Sequence, residues 1–230
     1  MSSRITGIII ASGYSGRMTS FKPLLLFEGL SFISGITLKL GLVCDSITIV
    51  VGHQKELVED EIQKTLKSLS ISKNRLLINF SDEVRGKTKL IINENFDHGM
   101  FTSLQRGLSV AHPNEWYLYH FVDQPGLPIK FYHDFTHQIL PTYKWIQPVF
   151  HGKNSHPVLF DSSIKDLILK ADYNKSLKDI SRSVYKLKKF WECGYEQVLM
   201  DIDTPEDYDT LLAKESELLC NQLIDYLSKN

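Results

Sequence analysis

The stretch Ala11-Ser12-Gly13-Tyr14-Ser15-Gly16-Arg17-Met18, with a second cation at Lys22, constrains this chain more than any other. It follows residues 5–10, a β-branched run that reads as a buried strand. A buried strand feeding a small, Gly- and Ser-rich turn sets several backbone N–H groups on one concave surface. Such a nest attracts anions, phosphates above all. Gly13 and Gly16 permit approaches that a Cβ would block, and Arg17 and Lys22 add fixed positive charge where a polyphosphate would lie. No Gly-Lys-Ser/Thr closes the turn, so it is not a Walker loop. The residues alone leave two readings: a phosphate or nucleotide site, or a glycine-containing loop with two solvated cations.

The pattern around this loop is strand, loop, helix, strand, helix. Residues 31–43 form a mostly apolar helix, 46–51 a second strand, and 54–69 a helix with Leu57, Val58, Ile62, Leu66 and Leu69 on one side. That order implies a parallel sheet with helices on both faces. Residues 72–88 are harder to read. Residues 76–80 have strand character, 81–89 are polar, and the segment is expected to be a surface excursion before a strand at 89–93. A helix at 99–110 and a strongly apolar strand at 116–122, ending in Asp123, follow. Pro128 opens a helix to 139, and strands at 145–150 and 156–160 flank a Gly152-Lys153-Asn154 turn. Residues 167–170 and 177–180 lie in helices, 198–202 read as a late strand, and Thr204-Pro205 caps a helix over 206–212. The run Lys186-Leu187-Lys188-Lys189 reads as a solvated basic face.

At 230 residues the chain is long enough for a sizeable core, and no repeat or low-complexity linker divides it. The expected organisation is one domain over 1–212 and a helical extension over 213–230. The apolar stripe of that extension (Leu218, Leu219, Leu223, Ile224, Leu227) is expected to pack on its own subunit, with dimerisation as the alternative. A formal net charge of -1 gives no field favouring nucleic acid or an anionic membrane. No apolar run approaches the roughly 20 residues of a spanning helix. Met1-Ser2-Ser3-Arg4 leads straight into a strand without a signal peptide, and Cys44, Cys193 and Cys220 are scattered, so a reducing cytoplasmic setting is expected.

Ligands of open parallel sheets bind beyond the carboxyl ends of the strands. Residues 12–22 and Asp123 both follow strands, and a carboxylate placed like Asp123 suits a divalent cation. Asp203 and Asp201 compete to supply a second carboxylate, since strand alternation sets both on one face. Either aspartate is equally readable as a helix-capping residue.

The loop resembles the N-terminal motif of the MobA-like nucleotidyltransferases, Ala-Ala-Gly-x-Ser-x-Arg-Met-Gly-x-x-Lys, and within them most resembles the molybdenum cofactor cytidylyltransferases. Four further segments agree, in the family's order: His98-Gly99-Met100-Phe101-Thr102-Ser103-Leu104, Val122-Asp123-Gln124-Pro125, Ser155-His156-Pro157-Val158-Leu159-Phe160 and Asp201-Ile202-Asp203-Thr204-Pro205-Glu206-Asp207-Tyr208. The resemblance spans Gly7 to about Leu212. It implies a three-layer α/β/α sandwich with a mostly parallel, Rossmann-like sheet of the nucleotide-diphospho-sugar transferase type. The implied reaction moves CMP from CTP to the phosphate of molybdopterin, releasing pyrophosphate.

Carried over residue by residue, the resemblance makes Lys22, Arg17 and Asp123 catalytic. Ala11, Ser12, Gly13, Ser15, Gly99, Ser103 and His156 become substrate-binding, and Asp123 and Asp203 become ligands of magnesium (Mg²⁺). Met100 and Leu104 are expected in the core, and Ser103 is equally readable as core or ligand contact. His156 likewise reads either as a packed, hydrogen-bonded group or as part of the acceptor side.

Ser12 stands where the guanylyl branch has glycine and the cytidylyl branch alanine. A side chain there favours a pyrimidine, hence CTP. Thr19 replaces the usual Gly after Arg-Met, and Ser155 replaces the Gly before His-Pro. Expected partners are CTP, a molybdopterin-type acceptor and a molybdenum hydroxylase. The alternatives are transfer to another small phosphate, such as a sugar or polyol phosphate, or a non-catalytic cofactor carrier or insertion chaperone.

Overall fold

Strand β1 (Ile5–Ala11) is buried along its whole length in the computed structural model, which describes residues 3–14, 16, 18, 20–214 and 217–229. A short hairpin of β2 (Leu26–Phe27) and β3 (Leu30–Ser31) leads into α1 (Phe32–Gly41), β4 (Ser46–Val51), α2 (Lys55–Ser70), α3 (Arg75–Lys87) and β5 (Thr88–Ile92). The chain returns through α4 (Met100–Val110) to β6 (Trp116–Phe121), α5 (Ile129–Thr136), β7 (Trp145–Phe150), β8 (Lys153–Asn154) and β9 (Val158–Asp161). It ends with α6 (Ser162–Lys170), α7 (Leu177–Ser183), β10 (Lys188–Glu192), α8 (Pro205–Leu212) and α9 (Leu219–Leu227).

The main sheet has the order β10-β7-β9-β6-β1-β4-β5, with β8 on the end of β7. Neighbours are parallel except where β9 meets β6 and β7 and where β8 meets β7. Alternation along β1 divides the core. Ile5, Ile9 and Ala11 join residues of α1, α2, α3 and α5 on one face, while Ile8 and Ile10 join α4 and α6 on the other. This is the expected three-layer architecture. From β1 the chain winds outward to β4 and β5, then crosses back to place β6 on the opposite side of β1. The order therefore reverses between β1 and β6, where the loops after these strands part and leave a crevice.

Three expectations are corrected. The segment after α2 is not a surface excursion but helix α3, N-capped by Asn74, whose side chain accepts from the Leu76 N–H. Leu77, Phe80, Ser81 and Val84 are its buried stripe, at helical spacing. A Cβ on Gly41 of α1 would come within 2.5 Å of the Val84 side chain, so the two helices meet there without one. The apparent strand at 76–80 mixes this stripe with outward-facing residues.

Nor is there a strand at 198–202. Residues Glu196–Leu199 make a 3₁₀ turn, and an irregular stretch follows. The final sheet strand is β10, which begins inside the run read as a solvated basic face and continues to Glu192. It pairs in parallel with β7, and Lys188 lays its ammonium 5.0 Å from the centre of the buried Trp145 ring.

The C-terminal stripe packs on the body of the same chain. Leu219 and Leu223 of α9 are buried in the core cluster that also holds Leu77, Phe80 and Val84 of α3. Cys44 and Cys193 are buried and Cys220 half-buried, all as free thiols. Among the described residues, no helix is long and apolar enough to cross a membrane.

If α3 is part of the core, Phe80→Ala should cost about 3–5 kcal/mol of stability. Leu76→Ala, at a site 37% exposed on the same helix, should cost less than ~1 kcal/mol. Urea denaturation measures both, and equal small losses would return the segment to the surface.

Candidate active site

The register of β1 on β6 pairs Ile10 with Phe121, so the two strands end together. Residues 12–22 and 122–127 consequently rise from the same edge. Ser15, Arg17 and Thr19, for which phosphate contacts and a loop change are expected, lie outside the described residues. Ala11 closes β1, paired with Val51 of β4. Where a Cβ would stand on Gly13 or Gly16, no described atom lies within 4 Å, so the loop backbone stays accessible there. Tyr14 reaches sideways, its hydroxyl donating to the Asp97 carboxylate and its ring packing on His53 and Phe96. That contact ties the loop to the segment preceding Gly99.

Lys22 opens a single 3₁₀ turn with Pro23 behind it, and its Nζ donates to Asp203 Oδ1 at 2.6 Å. Asp203 is held from the other side. Thr204 and Asp207 form the capping box of α8, and Asp207 Oδ2 also accepts the Asp203 N–H at 3.0 Å. The expected cap at Thr204-Pro205 is therefore present.

Asp123 follows β6 by two residues. Its Oδ1 is buried and has no hydrogen-bond partner among the described residues, and its carboxyl is pushed up to about 6. Burial is the main cause. Asp201 raises it further, Lys22 opposes the rise, and Asp203 adds a smaller upward push. Both aspartates thus reach Asp123, without the strand that was expected to align them. The Ile202 N–H donates to the Asp123 carbonyl at 2.8 Å. Gln124 Nε2 donates to the Val198 carbonyl at 3.1 Å and to Asp201 Oδ1 at 2.7 Å.

Gln124, 1% exposed, thus uses its side chain to dock the segment carrying both aspartates. It stands in the quoted Val-Asp-Gln-Pro segment, but no local pattern assigned it that role.

A buried, partnerless carboxylate oxygen crowded by two like charges is the setting a divalent cation neutralises, and the donors are hard oxygens. Among the described residues no three His, Cys, Asp or Glu side chains form a ready cage. One or two carboxylates completed by substrate phosphates is the mode Mg²⁺ favours. The residues therefore fit a hard divalent ion, which Asp123 could hold through its unpaired Oδ1.

On the α4 side, Ser12 and Ser103 share a hydroxyl hydrogen bond of 2.8 Å, and Asn93 Nδ2 donates to Ser103 Oγ at 2.9 Å. All three residues are buried. Asn93, which no pattern singled out, thereby anchors two of the expected binding residues from the end of β5. Gly99, at φ 99°, is the N-cap of α4 and turns the chain in a way only glycine takes without strain.

Met100 is corrected from core to surface. It is 57% exposed and lines the cleft beside Gly13, Lys22, Phe121 and Asp123, while Leu104 is core as expected. His156 stands edge-on to Phe121 with ring centres 4.6 Å apart, and burial lowers its pKa to about 4. It is uncharged at neutral pH and can offer an acceptor side a polar, neutral surface.

The MobA-like NTP transferase domain family matches residues 7–189. Among solved structures, Rv0371c from Mycobacterium tuberculosis H37Rv superposes with a TM-score of 0.70 at 18% identity, covering 93% of this chain and 100% of its own. A second structure of that protein is a complex with manganese. A nucleotidyl transferase from Methanothermobacter gives 0.68 at 17% identity, over 91% and 96% of the two chains. The 4-diphosphocytidyl-2C-methyl-D-erythritol synthase from Anaerococcus prevotii gives 0.65 at 15%, over 92% and 96%. At these identities the likeness is one of fold. Comparison with curated protein sequences finds no significant match.

Asp123 lies above its ordinary carboxylate value of 3.8 in the fold. Its contribution to stability is therefore complete below that value and is lost as pH rises through about 6. Asp123→Asn, which does not ionise, should gain on the parent by ~2–3 kcal/mol between about pH 4 and about pH 8 in metal-free buffer. Urea unfolding across that range measures it, and a pH-independent difference would contradict a buried, crowded carboxylate.

Proposed function

The chain belongs to the MobA-like NTP transferase domain family, and we propose that it moves CMP from CTP onto the phosphate of a molybdopterin-type acceptor. The buried, partnerless Asp123 oxygen, beside the Lys22–Asp203 pair at the edge where β1 and β6 end, carries this reading. An acceptor phosphate oxygen bonds to the α-phosphorus of CTP. The bond from that phosphorus to the β-bridging oxygen breaks, and this oxygen keeps the electron pair as pyrophosphate leaves.

The acceptor phosphate, with a second pKa near ~6, is already ionised at neutral pH, so no side chain has to take a proton. The task left to the protein is to bring two polyanions into line and to receive the shifting charge.

Lys22 contacts the α-phosphate in this scheme. Arg17 and the loop amides around Ala11, Ser12, Gly13 and Ser15 hold the β- and γ-phosphates, with Gly99 and Ser103 on the nucleotide side. His156, neutral and set on Phe121, faces the acceptor. Asp123 and Asp203 hold Mg²⁺, which would supply Lewis-acid screening between the phosphate oxygens. The manganese complex of Rv0371c supports a divalent ion at a fold of this kind.

Ser12, whose buried hydroxyl is tied to Ser103, keeps a side chain where the base lies, and this favours CTP over GTP. Carboxylates clustered beside a triphosphate loop favour catalysis over a carrier role. The fold likeness to the Anaerococcus prevotii synthase supports a second acceptor class, a small polyol phosphate.

Pyrophosphate release with a panel of nucleotides and phosphate acceptors tests the reading, and no release with any pair would overturn it. Asp123→Ala should lower turnover by orders of magnitude with the fold intact, and full activity after exhaustive chelation would remove the metal role. Lys22→Ala should depress kcat more than nucleotide affinity, whereas Arg17→Ala should weaken affinity as well. CTP should bind more tightly than GTP by about 1–3 kcal/mol, a margin that Ser12→Gly narrows, as calorimetry would show.

A further inference from the structure

Lys39 places its amino group inside the molecule. It lies in the last turn of the apolar helix α1, between Leu38 and Leu40, and is 1% exposed. A buried ammonium is costly unless every strong partner it needs is supplied by the protein. The structure supplies two. Nζ donates to Glu28 Oε2 at 3.2 Å and to the Pro125 carbonyl at 3.0 Å.

One partner, Pro125, lies in the Asp123 loop, and the other, Glu28, lies in the β2–β3 turn that the chain enters after Lys22 and β2. Glu28 lies six residues after Lys22, in the tight β2–β3 turn, where it takes a left-handed φ of 53° beside Gly29 at φ 80°. That turn is itself clamped. The Leu219 N–H donates to the Glu28 carbonyl at 2.9 Å, and a Cβ on Gly29 would meet Leu218 at 2.7 Å. Pro125 lies two residues after Asp123, in a segment that is also held at the Asp123 carbonyl by Ile202, at the Gln124 side chain and by the buried Leu127. Lys39 therefore joins the continuation of the Lys22 loop to the Asp123 loop from beneath, at a point neither loop supplies for itself.

We propose that Lys39 is a positioning residue for the nucleotidyl-transfer site, fixing the Asp123 carboxylate relative to Lys22 by holding the Pro125 carbonyl and Glu28 together. The inference rests on the reading of Asp123 as a metal ligand. It touches neither substrate nor metal and adds no chemical step. It needs the buried charge because a carbonyl and a carboxylate from separate loops can share a donor of this reach only if it enters from the helix below. Two anchors on one ammonium also set the spacing of the loops, which apolar packing alone would leave adjustable.

The test compares Mn²⁺ binding, followed by electron paramagnetic resonance on the full chain without nucleotide, with urea stability and with kcat and KM. The double variant Lys39→Met/Glu28→Leu removes the pair without stranding a charge. It should keep a near-parental urea midpoint while Mn²⁺ affinity falls by about tenfold to a hundredfold, the range for partners that orient metal ligands. Lost kcat should exceed any change in KM for nucleotide. Glu28→Gln keeps the Lys39–Pro125 bond and should hold Mn²⁺ affinity within about twofold of the parent.

If the double variant fails to fold, Lys39→Gln replaces it. That side chain is one bond shorter and does not span to the carbonyl, so the same loss is expected. Parental Mn²⁺ affinity in either folded variant overturns the role of Lys39 and leaves the proposed function standing. A parent chain that binds no Mn²⁺ removes the metal site and this inference with it.

Discussion

The parallel pairing of β1 with β6 is the constraint on which the site depends. Ile8 and Ile9 of β1 and Leu118 of β6 are completely shielded from solvent, so neither strand can slide by a residue without turning its core side chains into the wrong layer. Register then decides where both loops begin. Because β4 and β5 lie on one side of β1 and β6 on the other, the polypeptide leaves the ends of these adjacent strands in opposite directions. The crevice is a by-product of this topology. The charged residues use it, arriving from segments as far apart as Lys22, Asp123 and Asp203.

Charge is distributed around this crevice with two different solutions. Burial keeps the carboxyl of Asp123 well above its ordinary value, and repulsion from Asp201 and Asp203, only partly answered by Lys22, adds to the rise. Negative charge left unanswered inside the protein is available to a cation from outside, which is how a fixed array of dipoles and charges is readied for polyanionic reactants.

Beneath the same loop the polar groups are answered internally. Lys39 has Glu28 and the Pro125 carbonyl, and burial lowers its pKa against the pull of Glu28. His120, fully buried, is pushed down to about 3, and its ring nitrogens meet the Phe121 carbonyl and the Tyr132 hydroxyl. A satisfied polar layer supports an unsatisfied one. The first resists rearrangement because breaking any bond would strand a buried group.

Proximity also reshapes single residues. Ser12 offers a hydroxyl that sequence alone leaves free to meet a base edge, yet in the fold it is shared with Ser103, which Asn93 holds in turn. The same logic moves Met100 outward. Helical spacing assigns it to the core stripe of α4, but its position in the first turn, beside Gly99, sets it at the mouth of the cleft.

The amino-acid sequence by itself determined the features that depend on neighbours a few residues away. The β-branched run before Ala11-Ser12-Gly13, the apolar stripes of α1, α2 and α4, the Thr204-Pro205 cap and the parallel order of the first strands are all local patterns, and each is present in the structure. Helix α3 was also written locally, in Leu77, Phe80, Ser81 and Val84, but a compact apolar block at 76–80 concealed its period. Strand β10 and the irregular 200–203 segment were not local at all. The end of a lysine-rich run becomes the start of a strand because β7 offers an open edge, and the 196–203 stretch is held by the Gln124 side chain rather than by a ladder. Tertiary structure alone decided that Lys39 is a buried junction, that Asp123 Oδ1 has no partner among the described residues and that Asp203 meets Lys22. The Lys39–Pro125 and Lys22–Asp203 contacts join residues 86 and 181 positions apart, and their energies depend on which groups are removed from water together.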